Sequence, residues 1–240
     1  MRRALRLRLV EALRPSDLQL TLVWAGIVGL CGALVSVAFR WLAQLVQERA
    51  FGVEGDLVAG AQSVLPWERI AIPAIGGLAA GLVIRFGAHL AQGQPSTDYM
   101  EAVSLGDGTI RVRPSLVKST ASLFSVASGG SIGREGAMAQ LSSMLASWMG
   151  RRRNLPRPRL QLLVACGAAA GIASAYNVPI AGALFVAEIV LGTIAMESFG
   201  PLVFASVVST LATRALLGGA PLFEIPQFEL VSYLDRKSVV

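Results

Sequence analysis

Long apolar stretches separated by short polar ones follow one another along most of the chain. The clearest, residues 18–39, contains no charge between Asp17 and Arg40, and a helix that crosses a bilayer needs about 20 apolar residues. Two further stretches, 70–91 and 198–217, have similar lengths. The pattern predicts an all-α polytopic membrane protein.

Shorter elements are predicted between these stretches. We expect a mixed, charged loop over 48–69 and a short helix that begins near Asp98, with Glu101 completing an acidic capping pattern. An apolar segment over 114–128 follows, and a further helix ends near Trp148. Several of these elements are too short to cross a membrane by themselves.

Proline interrupts the longest uncharged stretch, residues 160–187. Pro179 lacks an amide hydrogen and stops the helix before it, so we predict two segments, 160–175 and 179–193. Broken helices occur at membrane depth only where they are buried in protein or line a cavity, and in transporters they mark the substrate site. The pattern therefore favours a transporter or a channel.

Composition agrees with a membrane protein and excludes other classes. Hydrophobic residues make up 54% of the 240 residues and charged residues 15%, whereas a soluble domain carries about 25% charged residues. The net charge of +6 comes from arginines that flank apolar runs, which is typical of membrane proteins and not of nucleic-acid binding. An ordinary soluble enzyme and a disordered chain are both excluded.

The chemistry-bearing residues give no sign of an enzyme, a metal site or a cofactor. Cys31 and Cys166 both lie in apolar runs and are expected to be buried thiols, not a disulfide or a metal pair. His89 is the one histidine, so a zinc site or a Ser-His-Asp triad would depend on it alone.

Three regions are expected along the chain. Residues 1–17 carry an arginine cluster and form a cytoplasmic amphipathic segment, because positive charge marks the inner side of a membrane. Residues 18–217 form the membrane domain, and 218–240 form a polar C-terminal segment. The expected location is the inner (plasma) membrane.

A glycine-rich segment, Gly129–Met138 (GGSIGREGAM), is the strongest candidate for a binding site. Its glycines permit a sharp turn, and the next helix offers free amide hydrogens and the positive end of its dipole to an anion. The Glu135 carboxylate would be attracted to that anion position and would act as a movable plug. A plain helix cap at Glu135 is the competing interpretation and stays open.

Two further candidates follow a similar logic. Gly93–Asp98 (GQPSTD) again places a glycine before a helix start, and an ordinary loop is the equal alternative. Glu188 is an acid inside an apolar segment, where charge is costly. We favour a structural hydrogen bond inside the helix bundle for Glu188.

Three segments resemble conserved segments of the CLC family of chloride channels and proton/chloride antiporters, and they follow one another along the chain in the same order as in that family. GREGAM at Gly133–Met138 resembles the family's GREGP signature, and Ala165–Glu188 (ACGAAAGIASAYNVPIAGALFVAE) looks like its next conserved stretch. Pro95–Val103 (PSTDYMEAV) is similar to the corresponding stretch of bacterial ClcB-type members. The resemblance begins near residue 18 and corresponds to the N-terminal half of the family's transporter domain.

The resemblance implies one of two inverted repeats of tilted and broken helices, whose N-termini meet those of the second half around a chloride ion. It implies homodimers with one pore per subunit, voltage gating in channel members, and Glu135 as the gating glutamate. Ile132, Gly133, Arg134 and Gly136 would surround the anion site.

Two departures from the family pattern change the expectation. The GSGIPE motif reads GQPSTD, so that Gln94 replaces the chloride-coordinating serine, with Gly93 and Ser96 beside it. Chloride and other small anions stay open as substrates. The inner proton-transfer glutamate of the antiporters aligns with Ile189, which carries no proton. We therefore predict channel-like flux that is weakly coupled or not coupled to protons.

The chain also lacks the motifs of the family's second half. We expect a truncated chain in preference to an assembly of two such halves. A non-transporting membrane scaffold, a degenerate copy of the same fold, is the alternative to transport.

Overall fold

The computed structural model of the chain describes residues 17–51, 64–90, 98–192 and 195–218, and their regular structure is entirely helical. The elements are α1 (Asp17–Phe51), α2 (Glu68–Leu90), α3 (Tyr99–Ser104), α4 (Val112–Ala127), α5 (Glu135–Arg152), α6 (Arg157–Tyr176), α7 (Pro179–Phe185), a π-helical turn (Val186–Val190) and α8 (Met196–Leu217). The all-α prediction is confirmed.

Four of these helices, α1, α2, α6 and α8, are long and apolar enough to cross a membrane. The chain is therefore a multi-pass membrane protein, as predicted. One boundary prediction is wrong: α1 continues through Glu48 and Arg49 to Phe51, and α2 already begins at Glu68. Charged side chains are ordinary helix formers once the helix leaves the hydrocarbon. Residues 52–63 lie outside the described residues.

Helix α6 lies at the centre of the bundle and is almost completely buried from Leu163 to Ala175. Its glycines allow α5 to pack against it at backbone distance. A Cβ atom on Gly167 would lie 2.8 Å from the Ser142 carbonyl oxygen, and one on Gly171 would lie 2.7 Å from that of Met138. Small residues let helices approach closely in lipid, so the sequence GAAAG serves packing.

Helix α1 uses the same device against the other two central helices. A Cβ on Gly29 would lie 2.6 Å from the Ala205 carbonyl oxygen of α8, and one on Gly32 would lie 2.8 Å from the Ala170 side chain of α6. Helices α1, α6 and α8 thus form one tightly packed group.

Helix α2 packs mainly on α4 and is the least enclosed of the four spans. A Cβ on Gly77 or Gly81 would meet no atom of the described residues within 4 Å. The close approaches are made instead by Gly76, toward Ser128, and by Gly87, toward Val117. Gly77 and Gly81, which form a GxxxG motif, therefore face away from the described helices.

The break between α6 and α7 is where the sequence predicts it. Asn177 adopts a left-handed conformation (φ 64°) and ends α6, and Pro179 opens α7. Proline is well tolerated at the first position of a helix because that amide has no partner there. The prediction of two segments on either side of this break is confirmed.

The start of α3 agrees with the sequence only in part. Asp98 does stand directly before α3, but its side chain makes no capping hydrogen bond. Its Oδ2 atom lies 3.4 Å from the Lys118 ammonium on α4 instead. The predicted capping pattern is therefore wrong, because a cation on a neighbouring helix takes the carboxylate.

Candidate functional site

The segment that leads into α5 folds back on itself through two glycines in the left-handed region, Gly129 (φ 95°) and Gly133 (φ 74°). The Gly130 amide donates to the Ser125 carbonyl oxygen over 2.8 Å, which closes the reversal. Arg134 occupies the cap position of α5 and makes no side-chain capping bond. The amide groups of the first turn of α5 are therefore available to an anion.

Glu135 occupies the first position of α5 and is half-buried. Its side chain folds back over the preceding turn, since a Cβ on Gly133 would lie 2.6 Å from its carboxyl carbon. The carboxylate therefore lies beside the start of α5. The residue at the cap position is Arg134 and not Glu135, so Glu135 is not the N-cap residue of this helix.

A cavity of about 450 Å³ lies next to this turn, between α2, α3, α4 and the start of α5. Of the residues predicted around the anion site, Ile132, Gly133 and Gly136 line the cavity, and Arg134 does not. The polar side chains that line it come mostly from α4, and the others are Asp98, directly before α3, and Gln140 of α5; those from α4 are Lys118, Ser119, Ser122 and Ser125. Apolar side chains, among them Ile84, Met100 and Ile132, form most of the wall, and these polar groups form a smaller part of it.

Of the other predicted anion-binding segment, Gly93–Asp98, the structure describes only the last residue. Gly93, Gln94 and Ser96 lie outside the described residues. Asp98 follows them closely in the chain and lines the same cavity as Gly133. The roles assigned to the three residues remain predictions.

Gln140 is a residue of this site that the sequence reasoning missed. Its side chain is 4% exposed and lines the cavity. The Tyr99 amide donates to its Oε1 atom over 3.0 Å, and its Nε2 atom donates to the Ser115 hydroxyl over 3.0 Å. Gln140 therefore ties the starts of α3 and α4 to α5. The available signal was a polar residue on the buried side of α5.

Tyr176, at the end of α6, is close enough to Glu135 for the two groups to interact. The Glu135 charge acts on the Tyr176 hydroxyl, and the Arg134 guanidinium is close enough to act on both groups. The Glu135 charge also acts on Tyr99, which lines the cavity. The charged and titratable groups that interact with Glu135 thus include two tyrosines and one arginine.

Two arginines hold the end of α6 in place. Arg40 of α1 donates to the carbonyl oxygens of Ser174 and Ala175 over 3.0 and 2.9 Å. Arg214 of α8 donates to the Asn177 side-chain oxygen over 2.6 Å. Cations stabilise the negative end of a helix dipole, and these contacts fix the position from which Tyr176 reaches Glu135.

Glu188 and Ile189 lie on the π-helical turn after α7, and both side chains are exposed. No hydrogen bond joins Glu188 to the described part of the chain, and the bundle hydrogen bond favoured for it stays a prediction. The neighbouring Val186, Ala187 and Val190 are the residues of this turn that pack inward.

Comparison with known proteins agrees with this fold. The sequence profile of the family described as "Voltage gated chloride channel" matches residues 75–236. A putative chloride channel protein, ClcB-like, of Ralstonia nicotianae is 46% identical over 212 residues, 87% of this chain and 49% of that protein. The voltage-gated ClC-type chloride channel ClcB of Yersinia pseudotuberculosis is 51% identical over 168 residues, 69% of this chain and 40% of that protein.

Among solved structures, the crystal structure of a slow cyanobacterial Cl⁻/H⁺ antiporter aligns with a TM-score of 0.65 at 21% identity. The alignment covers 88% of this chain and 50% of the antiporter chain. The fold is therefore the CLC fold, and the chain belongs to the voltage-gated chloride channel family, a family of channels and transporters and not of enzymes. The chain spans about half the length of the curated relatives it matches.

Proposed function

We propose that the chain forms one half of a membrane pore for chloride or a similar small anion, with Glu135 as its gate. The observation that carries this proposal is the place of the Glu135 carboxylate, against Gly133 and at the uncapped start of α5, beside a cavity that has hydroxyl, amide and charged groups in its wall. Protonation or displacement of the carboxylate would free the first-turn amide groups for an anion. The names of the relatives support chloride as the anion.

The gate is proposed to work without proton exchange from the inner side. Exchange across the membrane needs a second titratable group, and the residue in the aligned position is the aliphatic Ile189. Flux would therefore be channel-like and weakly coupled or uncoupled. Because the chain spans half the length of its relatives, a second half would supply the opposite wall of each path. Two such complete subunits would form the homodimer that the family resemblance implies.

The proposed topology has a cytoplasmic N-terminus in the inner membrane. Arg153, after α5, lies over the ring of Trp24 near the start of α1, so these two segments share one side of the membrane. The arginine-rich connection between α5 and α6 is on that side, and positive charge is enriched in cytoplasmic loops.

Anion efflux from liposomes that contain the 240-residue chain tests the proposal, with chloride and pH electrodes in the same cell. Chloride efflux with little or no proton movement would mean that copies of this half assemble a path between them and that the path is uncoupled. Glu135→Ala should raise the flux and remove its dependence on pH, whereas Glu135→Gln should resemble the protonated gate. Glu197→Gln, at an exposed acid of α8, is the matched control.

The outcomes separate the alternatives. Proton uptake driven by a chloride gradient would contradict uncoupled flux. Flux that is unchanged by Glu135→Ala would remove the gate. No flux from inserted, helical protein would assign transport to a longer chain, or would favour the scaffold alternative.

A further inference from the structure

The connection between α5 and α6 concentrates positive charge in a very short segment. We use "arginine turn" for Arg151–Arg157, which contains Arg151, Arg152, Arg153 and Arg157. Because α5 continues to Arg152 and α6 begins at Arg157, only four residues separate the helices. All four arginines are exposed.

Two of these arginines rest on tryptophan rings. The Arg152 guanidinium lies 5.0 Å from the centre of the Trp148 ring, and that of Arg153 lies 5.4 Å from the centre of the Trp24 ring. Cation–π contacts of this kind restrict the guanidinium groups without neutralising them. Their hydrogen-bond donors remain available to an anion.

The other two arginines are held by backbone carbonyl groups of the loop between α3 and α4. Arg151 donates to the Ile110 carbonyl oxygen over 3.1 Å, and Arg157 donates to that of Gly106 over 2.8 Å. Asp107, in the same loop, is the acid whose charge acts on Arg157. In the described part of the chain, no carboxylate forms an ion pair with any of the four arginines.

The turn lies at a membrane boundary. The span of α6 begins at Arg157 and that of α1 begins at Gln19, five residues before Trp24. Tryptophan is enriched at the level of lipid headgroups, where its ring is in the apolar layer and its polar edge is in water. Two guanidinium groups on such rings, with two more held in the same turn, therefore lie near the depth of the lipid phosphates.

We propose that the arginine turn is a binding surface for anionic phospholipid headgroups. Guanidinium groups recognise phosphate through paired hydrogen bonds, and clusters of basic residues beside a span bind anionic lipid. The two tryptophan rings favour a lipid over a free phosphate, because only a lipid has acyl chains that can pack against them. This site is independent of anion transport.

Native mass spectrometry of the 240-residue chain tests the proposal, with phosphatidylglycerol and phosphatidylcholine as the probes. Each guanidinium near a membrane surface strengthens binding of anionic lipid about fivefold, so the double substitution Arg152→Gln/Arg153→Gln should weaken phosphatidylglycerol binding about 25-fold. Binding of phosphatidylcholine should not change. Arg49→Gln/Arg85→Gln removes two exposed arginines elsewhere and is the control of equal charge.

Three outcomes would overturn the proposal. One is equal phosphatidylglycerol binding by the turn variant and the wild type. Another is an equal loss in the control variant, which would reflect net charge alone. The third is displacement of the lipid by inorganic phosphate at an ionic strength matched with sodium chloride, which would make the turn a free-phosphate site. Circular dichroism and thermal melting of both variants establish that each is folded.

Discussion

Gln140 holds the start of α3 against α5, because the Tyr99 amide donates to its side-chain oxygen over 3.0 Å inside the bundle. Helix α3 has only six residues, too few for a helix to be stable without tertiary contacts. Ser147, two turns further along α5, holds the loop that follows α3 by accepting from the Ile110 amide over 2.9 Å and donating to the Gly108 carbonyl oxygen over 2.7 Å. One face of α5 therefore positions the whole α3 segment at the cavity.

Replacing Gln140 should disturb both stability and anion preference. Gln140→Leu leaves the buried Tyr99 amide and the Ser115 hydroxyl without this partner, at a cost of about 1–3 kcal/mol. It also releases the α3 wall of the cavity, so the nitrate-to-chloride permeability ratio should change. Thermal melting in detergent and bi-ionic flux in liposomes measure the two effects.

Ser142→Ala is the control for Gln140→Leu. Its buried hydroxyl is on the same helix and has no partner among the described residues, so its removal should leave melting and permeability close to wild type. A Gln140→Leu protein that behaves like Ser142→Ala would refute the positioning role.

Gly133→Ala should move the Glu135 carboxylate. The backbone of Gly133 has φ 74°, and an added Cβ would lie 2.6 Å from the carboxyl carbon of Glu135. Since the carboxylate is the mobile partner, we expect it to leave the start of α5. Anion efflux should then rise severalfold and lose part of its pH dependence, in the direction of Glu135→Ala.

Helical Gly200 tests whether an added methyl group alone produces this result. A Cβ there would meet no described atom within 4 Å. Gly200→Ala should leave efflux and its pH dependence at the wild-type level. Efflux from Gly133→Ala that equals that of Gly200→Ala would count against the gate.

Arg40→Met should loosen the end of α6. Methionine replaces the aliphatic part of the arginine side chain but not its guanidinium group. The substitution therefore removes two charged hydrogen bonds, to Ser174 and Ala175. Loss of such bonds costs about 2 kcal/mol. Because Tyr176 follows directly, the pH dependence of efflux should shift as well, and Arg40→Lys should restore stability only in part.

Melting and efflux at several pH values check the Arg40 prediction, and Arg49→Met serves as the control at an exposed position of the same helix. A drop in melting temperature with an unchanged pH profile would show that Arg40 supports the bundle without acting on Glu135.

Gly171→Ala should separate α5 from α6. The added Cβ would lie 2.7 Å from the Met138 carbonyl oxygen and 2.8 Å from the Ala139 Cα atom, and neither backbone atom can turn away. Overpacking of this kind costs about 1–3 kcal/mol. Gly81→Ala, on the open face of α2, should be neutral or slightly stabilising. Comparable melting temperatures for the two variants would contradict the close packing.

Much of the fold could be predicted because lipid imposes simple rules on sequence. Runs without charge locate the spans, and the break at Asn177–Pro179 follows from proline chemistry, which is local. The end of α1 at Phe51 could not be predicted in this way, because charge tells where a helix leaves the hydrocarbon and not where it stops.

The parts of the site that were missed depend on partners distant in sequence. The Asp98 side chain turns to Lys118, 20 residues away, and Arg40 reaches the end of α6 across 134 residues. Neither contact has a local pattern. The turn around Gly133 and Glu135 could be found because its signal is local: glycine, charge and a helix start within a few residues.

The burial of α6 has a consequence for how the protein enters the bilayer during synthesis. Of the four spans, α6 has the lowest hydropathy and the largest buried share, because alanine and glycine fill its surface. Such a segment presents little apolar side chain to lipid and is held by neighbouring helices instead. We expect α1, α2 and α8 to partition from the translocon into lipid on their own. We expect α6 to remain inside the translocon until it can pack against α1 and α5.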